Sequence, residues 1–343
     1  MNSIPGIALL LRKIIKGVLP YAVVRFLQND LFRAYLDSKK VFKKYYLPKY
    51  GKPVFNQKLS TKTVIYFADG RENTGGLADR FRGIVSIYKI SKELNVDFKI
   101  HMTSPVDLSN YLIPNNHNWI IDNKTIIYDI KNSIIFNFWC DKYTQDHQVL
   151  IPLKKSLKRW NQIHIRTNMG LAEYEYNDLF CELFKPADEL KAKLEKCLSE
   201  IGCEFISVTF RFQQLLGDFI EEKFPILQEM EQKELITRCI NHLIEIHNEN
   251  KNIYKKILVT SDSITFLEKV KELDFVYVVP GKLAHVDYQP KEGKEVYMKS
   301  FLDYYLLTYS KMVYLVIDGQ MYNSGFPYRA ALHNLKYKIK RYG

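Results

Sequence analysis

EFISVTFRFQQLLGDF, residues 204–219, is the stretch from which the fold of this chain can be worked out. Ile206, Val208 and Phe210 alternate with small hydroxyl residues, which predicts a buried strand rich in β-branched and aromatic side chains. Arg211 follows where the strand gives way to a loop. Open α/β sheets bind ligands at the carboxyl ends of their strands, and a guanidinium group suits phosphate there. The alternative is that Arg211 is a solvated cation at a strand end.

Helix and strand patterns alternate through the rest of the C-terminal half. The helix before the quoted strand is predicted to begin at Pro186 and to stop at Gly202. Further along, the sequence predicts helices over 230–249, 263–273, 298–310 and 325–334, and strands over 256–260, 275–279 and 312–317. Such alternation predicts a doubly wound, Rossmann-like domain with a parallel sheet.

The N-terminal half follows a less regular version of this pattern. A strand is predicted at 63–68, a helix at 77–94 and a second strand at 96–101, and short strands follow over 102–170. The fold class we predict is α/β of the GT-B type, with two Rossmann-like domains facing a cleft. The predicted parts are an N-terminal segment (1–50), an N-terminal acceptor domain (51–185) and a C-terminal nucleotide-sugar-binding domain (186–343).

The net charge of +12 is concentrated at the two ends of the chain. Residues 1–50 hold ten Lys and Arg against two Asp, and residues 335–343 hold four basic residues, so residues 51–334 are formally neutral. A neutral body with basic ends fits an anionic membrane surface better than a nucleic-acid groove. We therefore expect no nucleic-acid partner.

Residues 4–18 carry apolar side chains at helical spacing, with Arg12, Lys13 and Lys16 on the opposite face. This pattern predicts an amphipathic basic helix of the kind that lies in a membrane interface. A signal peptide is disfavoured because no basic residue precedes the apolar run. An ordinary helix packed on the body is the remaining alternative. No apolar run in the sequence approaches the length of a membrane span.

Metal and cofactor motifs are absent from the sequence. The five cysteines are odd in number and form no C-x-x-C pair, which disfavours a zinc site and favours a reducing compartment. No D-x-D pair is present to hold a nucleotide-bound divalent cation. There is also no P-loop, G-x-G-x-x-G or G-x-S-x-G motif. We expect neither a metal nor a cofactor.

Three predicted strand ends in the C-terminal half carry polar residues. They are Arg211 with Asp218 beyond it, then Thr260-Ser261-Asp262-Ser263, and finally Tyr322-Asn323-Ser324-Gly325. Parallel strands would bring all three to one edge of the sheet, which predicts a nucleotide site. Hydroxyls and free N–H groups at a helix start suit phosphate, although simple helix caps are the alternative and are the default for Ser263.

A second candidate anion or sugar site is the pair Gly75–Gly76, between the first strand and the following helix. Flexible backbone and a helix N-terminus can receive an anion or a sugar hydroxyl there. Arg80 and Arg82 oppose the helix dipole, which favours a negative ligand nearby. The alternative is that these arginines pair with nearby acidic residues such as Asp79.

Four segments together resemble the fucosyltransferase superfamily of GT-B enzymes. GGLADRFRGI (75–84) is similar to its glycine motif, and ISVTFRFQQLLGD (206–218) to its H-x-R-x-G-D strand. ILVTSDSITFLEKVKEL (257–273) is similar to its T-D strand–turn–helix, and residues 300–332 to its closing segment. Thr209 replaces the usual histidine, Ala78–Asp79 replaces Gly–Asn, and the gap from Arg211 to Asp218 is longer than in the family pattern.

The resemblance implies roles for particular residues. Arg211 would bind the β-phosphate of GDP and neutralise the leaving diphosphate in place of a metal. Asp262 and Asp303 would contact the nucleoside. The remaining residues of the implied nucleotide-sugar site are Gly75, Gly76, Arg80, Thr260, Asn323, Ser324 and Gly325. A base would deprotonate the acceptor hydroxyl, and its candidates are Asp69, Asp79 and Asp218.

The sequence therefore predicts a metal-independent, inverting glycosyltransferase that transfers fucose from GDP-fucose. The expected acceptor is a surface glycan such as lipopolysaccharide or capsule, free or lipid-linked. The expected location is cytoplasmic, peripheral on the inner face of the membrane, with residues 1–50 on the anionic lipid surface. The alternatives are the same fold with another nucleotide sugar, or a non-catalytic membrane-associated glycan-binding protein built on a decayed transferase.

Overall fold

The computed structural model describes residues 61–343 except 129–131, 141, 143–144, 203, 219–224, 282–294 and 335. The amphipathic segment predicted at 1–50 lies outside the described residues. The strands are β1 (Thr63–Ala68), β2 (Asp97–Met102), β3 (Leu112–Pro114), β4 (Ser133–Phe138), β5 (Gln162–Thr167), β6 (Phe184–Pro186), β7 (Ile206–Phe210), β8 (Ile257–Ser261), β9 (Val276–Tyr277), β10 (Val313–Asp318) and β11 (Tyr337–Tyr342). The α-helices are α1 (Leu77–Glu93), α2 (Asp146–Ser156), α3 (Tyr176–Leu183), α4 (Asp188–Ile201), α5 (Glu229–Asn250), α6 (Ile264–Val270), α7 (Glu295–Tyr309) and α8 (Gly325–Ala331).

The C-terminal sheet has five strands in the order β11-β10-β7-β8-β9, and every adjacent pair is parallel. All five residues of β7 are buried, including the small hydroxyl residues Ser207 and Thr209, as in a strand that is covered on both faces. Helix α5 adds Leu235, Ile236, Cys239 and Leu243 to the same core, at helical spacing on one face. Each fully buried large apolar side chain contributes about 1.5–3 kcal/mol to such a core.

The N-terminal sheet has four strands in the order β2-β1-β5-β4. β5 is parallel both to β1 and to β4, and all six residues of β1 and of β5 are buried. Two parallel sheets of this kind confirm the predicted α/β fold class with two Rossmann-like sheets.

Contacts between residues divide the chain into two compact units that do not follow chain order. The described parts of the first unit are residues 61–67, 90–99 and 121–169, and the second comprises 68–89, 100–120 and 170–343. Residues 77–89 of helix α1 and strand β3 thus group with the C-terminal sheet. The boundary predicted between residues 185 and 186 follows chain order and stays a prediction.

One element differs from the sequence prediction, and another was not predicted. Pro186 does not open a helix, because it ends β6 and pairs with Leu112 of antiparallel β3, and α4 begins at Asp188. The basic C-terminal residues form the edge strand β11, and Lys340 lies 2.7 Å from Glu249 of α5. In the part of the chain that the structure describes, none of the helices has the length and apolar character needed to cross a membrane.

Candidate active site at the carboxyl edge of the C-terminal sheet

Arg211 and Asp262 occupy neighbouring positions at the carboxyl edge of the C-terminal sheet. β7 and β8 are parallel, and Thr209 lies opposite Thr260 in their register. Side chains two residues apart in a strand point to the same face, so the same register places Arg211 opposite Asp262. The Arg211 Nη1 atom lies 2.8 Å from Asp262 Oδ2. The sheet therefore brings together two of the residues predicted to bind the nucleotide sugar.

A buried hydroxyl pair lies two residues further into the sheet on the same face. Thr209 Oγ1 and Thr260 Oγ1 are 2.8 Å apart, and the residues are only 5% and 3% exposed. One of the two hydroxyls donates to the other, so each has a hydrogen-bond partner inside the protein. Thr209 has this role where the fucosyltransferase pattern has a histidine. A nucleotide-binding role for Thr260 stays a prediction.

Hydrogen-bond donors surround the Asp262 carboxylate. Phe212 N donates to Oδ1 at 2.8 Å, and Gln213 N donates to Oδ2 at 2.7 Å. Gln213 takes a positive φ of 54°, so the chain turns around the carboxylate. Burial raises the pKa of Asp262, and Arg211 together with the two N–H groups opposes that rise. The resemblance implies that Asp262 contacts the nucleoside, but here its carboxylate accepts hydrogen bonds from the loop after β7.

The loop after β10 reaches the same edge, because β10 is the parallel neighbour of β7 on its other side. Tyr322 N donates to the Arg211 carbonyl oxygen at 3.1 Å. Ser324 Oγ caps α8 by accepting the N–H of Phe326 at 3.3 Å, as expected for a simple cap. Asn323 and Gly325 are exposed. The three polar clusters predicted from the sequence therefore meet at one edge of the sheet.

Asp218 fastens the loop after β7 to the start of α6. Its Oδ1 accepts the Thr265 hydroxyl at 2.6 Å, and its Oδ2 accepts the Thr265 N–H at 3.2 Å and also the Ser263 hydroxyl. Asp262, which follows β8, accepts from the loop after β7, whereas Asp218 of that loop accepts from the start of α6. The two aspartates together hold residues 211–218 against the corner between β8 and α6. A catalytic role for Asp218 stays a prediction.

Asp303 is paired inside α7. Both of its carboxylate oxygens accept from Lys299 Nζ, at 3.0 and 2.7 Å, and the two side chains are 8% and 2% exposed. Burial raises the pKa of Asp303, while Lys299 acts to lower it. The nucleoside contact expected for Asp303 stays a prediction, and the geometry gives this carboxylate a partner in its own helix.

Arg80 shapes the glycine loop that precedes α1. It is only 4% exposed, and it donates through Nε to Gly75 O at 2.9 Å and through Nη1 to Ser104 O at 3.1 Å. Gly75 takes a positive φ of 87°, a conformation that glycine adopts without strain, and Gly76 O accepts the Arg80 N–H at 3.0 Å. The Arg80 guanidinium group therefore donates to the backbone carbonyl oxygens of Gly75 and Ser104. Sugar or phosphate binding by this loop stays a prediction.

The other two candidate bases are in ion pairs. Asp79 Oδ1 lies 2.9 Å from Arg82 Nη2, the pairing that the sequence offered as an alternative, and the Asp79 side chain is 44% exposed. Asp69 Oδ2 lies 3.5 Å from Arg71 Nε, and its side chain is 12% exposed. Asp79 is the more accessible of these two carboxylates.

Two ion-pair clusters, each with one buried member, were missed by the sequence analysis. Glu173 accepts two 2.6 Å hydrogen bonds from Arg329, across 156 residues of chain. Asp318, at the end of β10, accepts from Arg238 at 2.9 Å and from His242 Nε2 at 2.9 Å. Burial acts to raise the pKa of Asp318, but these hydrogen bonds outweigh it and hold the pKa below its usual range. No local motif links such distant partners, so the sequence carries no signal for them.

Metal-ligating side chains are not grouped in the described ranges. These residues include no set of three or more His, Cys, Asp or Glu side chains placed to hold a metal ion. The expectations of a metal-independent and cofactor-free protein stay predictions. Arg211 is a cation that is present at the candidate site.

No protein-family model matches the sequence, and no curated protein matches it significantly. Among solved structures, the chain is similar to a single-residue mutant of Arabidopsis thaliana FUT1 in complex with GDP. The TM-score is 0.51 and the identity 11%, over 94% of this chain and 80% of that chain. It is also similar to fucosyltransferase NodZ from Bradyrhizobium, with a TM-score of 0.49 and 16% identity, over 79% of this chain and 93% of that one. At these identities the likeness to FUT1 shows the fold alone, and it agrees with the predicted GT-B class.

Proposed function

We propose that this protein is a glycosyltransferase that transfers fucose from GDP-fucose with inversion at the sugar carbon. The observation that carries the proposal is the Arg211–Asp262 pair at the carboxyl edge of a parallel sheet, beside the turn at Tyr322–Gly325. Parallel α/β sheets bind nucleotides at this edge. The fold is also that of a FUT1 protein whose solved structure contains GDP.

The chemistry assigned to Arg211 is stabilisation of the leaving group. When the bond between the sugar and the diphosphate breaks, negative charge builds up on the β-phosphate. A guanidinium already fixed beside that phosphate stabilises this charge without reorganisation, as a divalent cation does in other enzymes. Metal independence is therefore part of the proposal.

The attacking group is a hydroxyl of the acceptor, and a carboxylate takes its proton. Of the three candidate bases, Asp218 accepts several donors from the start of α6, and Asp69 is mostly buried. Asp79 and Asp69 both pair with an arginine, and the side chain of Asp79 is the more exposed of the two. Asp79 is therefore the first base to test. Asp79→Asn should abolish transfer while it leaves GDP affinity nearly unchanged.

The acceptor we propose is a surface glycan such as lipopolysaccharide or capsule, reached at the inner face of the membrane. The support is the basic, amphipathic pattern of residues 1–50 and the neutral charge of residues 51–334. Binding of the whole chain to vesicles with anionic lipid, lost when the basic residues of 1–50 are replaced by glutamine, tests this part.

A second candidate is the same reaction with another nucleotide sugar. It is favoured by the Thr209–Thr260 hydroxyl pair, which occupies the position of the family's histidine, and by the engaged carboxylate of Asp262. Both features differ from the pattern that the resemblance associates with GDP-fucose.

Thermal unfolding with GDP, UDP, CMP or ADP, each without and with EDTA, tests the proposal. We expect GDP alone to raise the melting temperature, with and without EDTA, and Arg211→Ala to abolish the shift. Arg238→Ala is the matched control, because Arg238 also pairs with an aspartate of this sheet but lies on α5. A shift in melting temperature with UDP or CMP instead would mean that the donor is a sugar of that nucleotide and not GDP-fucose. No shift with any nucleotide would refute the proposed function. Turnover of GDP-fucose then tests the transfer itself.

A further inference from the structure

Asp262 places a carboxylate within hydrogen-bond distance of the arginine proposed to bind phosphate. Arg211 Nη1 lies 2.8 Å from Oδ2, and the Asp262 side chain is 8% exposed. A carboxylate repels a phosphate, so its position beside a phosphate site needs a physical reason. One such reason is that it fixes the guanidinium, whose long side chain otherwise has many rotamers.

The backbone around Arg211 is held on both sides. On the β8 side, the N–H groups of Phe212 and Gln213 donate to Asp262 at 2.8 and 2.7 Å. On the β10 side, Tyr322 N donates to the Arg211 carbonyl oxygen at 3.1 Å. Asp262 thus receives both the side chain of Arg211 and the two peptide groups that follow it. One carboxylate controls the direction of the side chain and the path of the loop.

The acceptor capacity of Asp262 is largely taken up by these contacts. A carboxylate has about four lone-pair positions, and the three donors named above occupy three of them. A nucleoside hydroxyl or base would therefore compete with the loop for this group.

We propose that Asp262 is a positioning residue, which acts on the diphosphate of the donor through Arg211 and makes no contact with the nucleoside. The inference rests on the proposed function for the identity of the ligand. It differs from the role that the family resemblance implies for this aspartate.

The sign of one mutational effect separates positioning from electrostatics. Asp262→Asn keeps the shape of the side chain and removes its negative charge. By charge alone, the variant would bind anions more tightly. Loss of positioning instead weakens anion binding. The weakening is about ten-fold if the Arg211 side chain becomes ordered only on binding, because its conformational entropy is then lost in the binding step.

The experiment measures dissociation constants of inorganic pyrophosphate and of GDP for the full chain. The variants are Asp262→Asn, Arg211→Ala and the double variant. We expect Asp262→Asn to weaken pyrophosphate and GDP by the same factor, because only the phosphate side is affected. In the Arg211→Ala background, Asp262→Asn should give no further weakening of either probe.

A matched control separates positioning from a general loss of stability. Asp318→Asn makes the same change in another buried aspartate of this sheet, one that also pairs with an arginine. It should lower the melting temperature and leave pyrophosphate affinity unchanged. If Asp262→Asn does not fold, Asp262→Glu takes its place. It keeps the charge but displaces the carboxylate by one methylene, so it should also weaken pyrophosphate binding, whereas charge alone predicts no change.

Several outcomes would overturn the inference. They are unchanged or tighter pyrophosphate binding by Asp262→Asn, a loss confined to GDP, or an equal loss in the Arg211→Ala background. These results leave the proposed function standing if GDP-fucose is still turned over. Conversely, a wild-type protein that binds pyrophosphate but not GDP refutes the proposed donor, and the pyrophosphate measurements still test Asp262.

Discussion

His333 should make the protein less stable in mild acid. The residue follows α8, and its ring lies among aromatic rings, with centroids 4.9 Å from Phe180, 5.9 Å from Tyr176 and 6.3 Å from Tyr304. Its Nε2 atom is buried and has no hydrogen-bond partner among the described residues. Burial lowers the pKa of His333 from 6.5 to about 4, because a charged imidazolium cannot be solvated there.

The direction of the effect follows from linkage. Since the folded-state pKa is the lower one, the unfolded chain binds the proton more readily between pH 6.5 and 4. The stability associated with neutral His333 is therefore fully present above pH 6.5 and is lost as the pH falls towards 4. One pKa unit corresponds to about 1.36 kcal/mol, so the loss reaches about 2–3 kcal/mol near pH 4.5.

The assay compares urea unfolding of the wild type and of His333→Phe at several pH values from 7.5 to 4.5. Phenylalanine suits the aromatic surroundings and does not titrate, and the difference between the two proteins removes the contribution of other groups. We expect this difference to shift by about 2–3 kcal/mol in favour of the variant as the pH falls. The imidazole proton resonance that disappears in the variant gives the pKa of His333 directly. A resonance that titrates near 6.5, with no pH-dependent difference in unfolding, would refute the reasoning.

Two further predictions concern stability and are tested by chemical denaturation at neutral pH. Gly75→Ala should cost about 1–3 kcal/mol, because φ is +87° and the new Cβ would lie 2.7 Å from Asp79 Cβ. Gly325→Ala, where a Cβ meets no heavy atom within 4 Å, should change the free energy of unfolding by no more than about 0.5 kcal/mol, and equal costs at the two sites would contradict the argument. Thr209→Val should cost about 1–3 kcal/mol because it leaves the buried Thr260 hydroxyl without its 2.8 Å partner. The double variant with Thr260→Val should recover most of that loss, and additive costs would show that the hydroxyls do not act as a pair.

The sequence by itself determined the elements of the C-terminal domain and the polar residues at their ends. The alternation in β7 and the helical spacing in α5 are local patterns, because each follows from the period of one element burying one face. The order of strands and helices then required a parallel sheet. Arg211 and Asp262 could be named as candidates because each follows a predicted strand directly.

Only the tertiary structure decided what these residues contact. The register of β7 and β8 places Arg211 against Asp262 and Thr209 against Thr260, and register is a relation between strands about fifty residues apart in the chain. Asp303 was predicted as a nucleoside contact. Its ion pair with Lys299 is a local i,i+4 pair of α7, but the burial of both side chains depends on how α7 packs.

Contacts between residues far apart in the chain also explain the two ion-pair clusters that no sequence motif predicts. Glu173 meets Arg329 across 156 residues, and Asp318 meets Arg238 across 80. Buried charges must find partners, but a sequence does not show which distant side chain will supply the opposite charge. The sequence therefore determined which elements form and which side chains lie at their ends, whereas the packing of those elements decided which charges pair and which way each functional side chain is held.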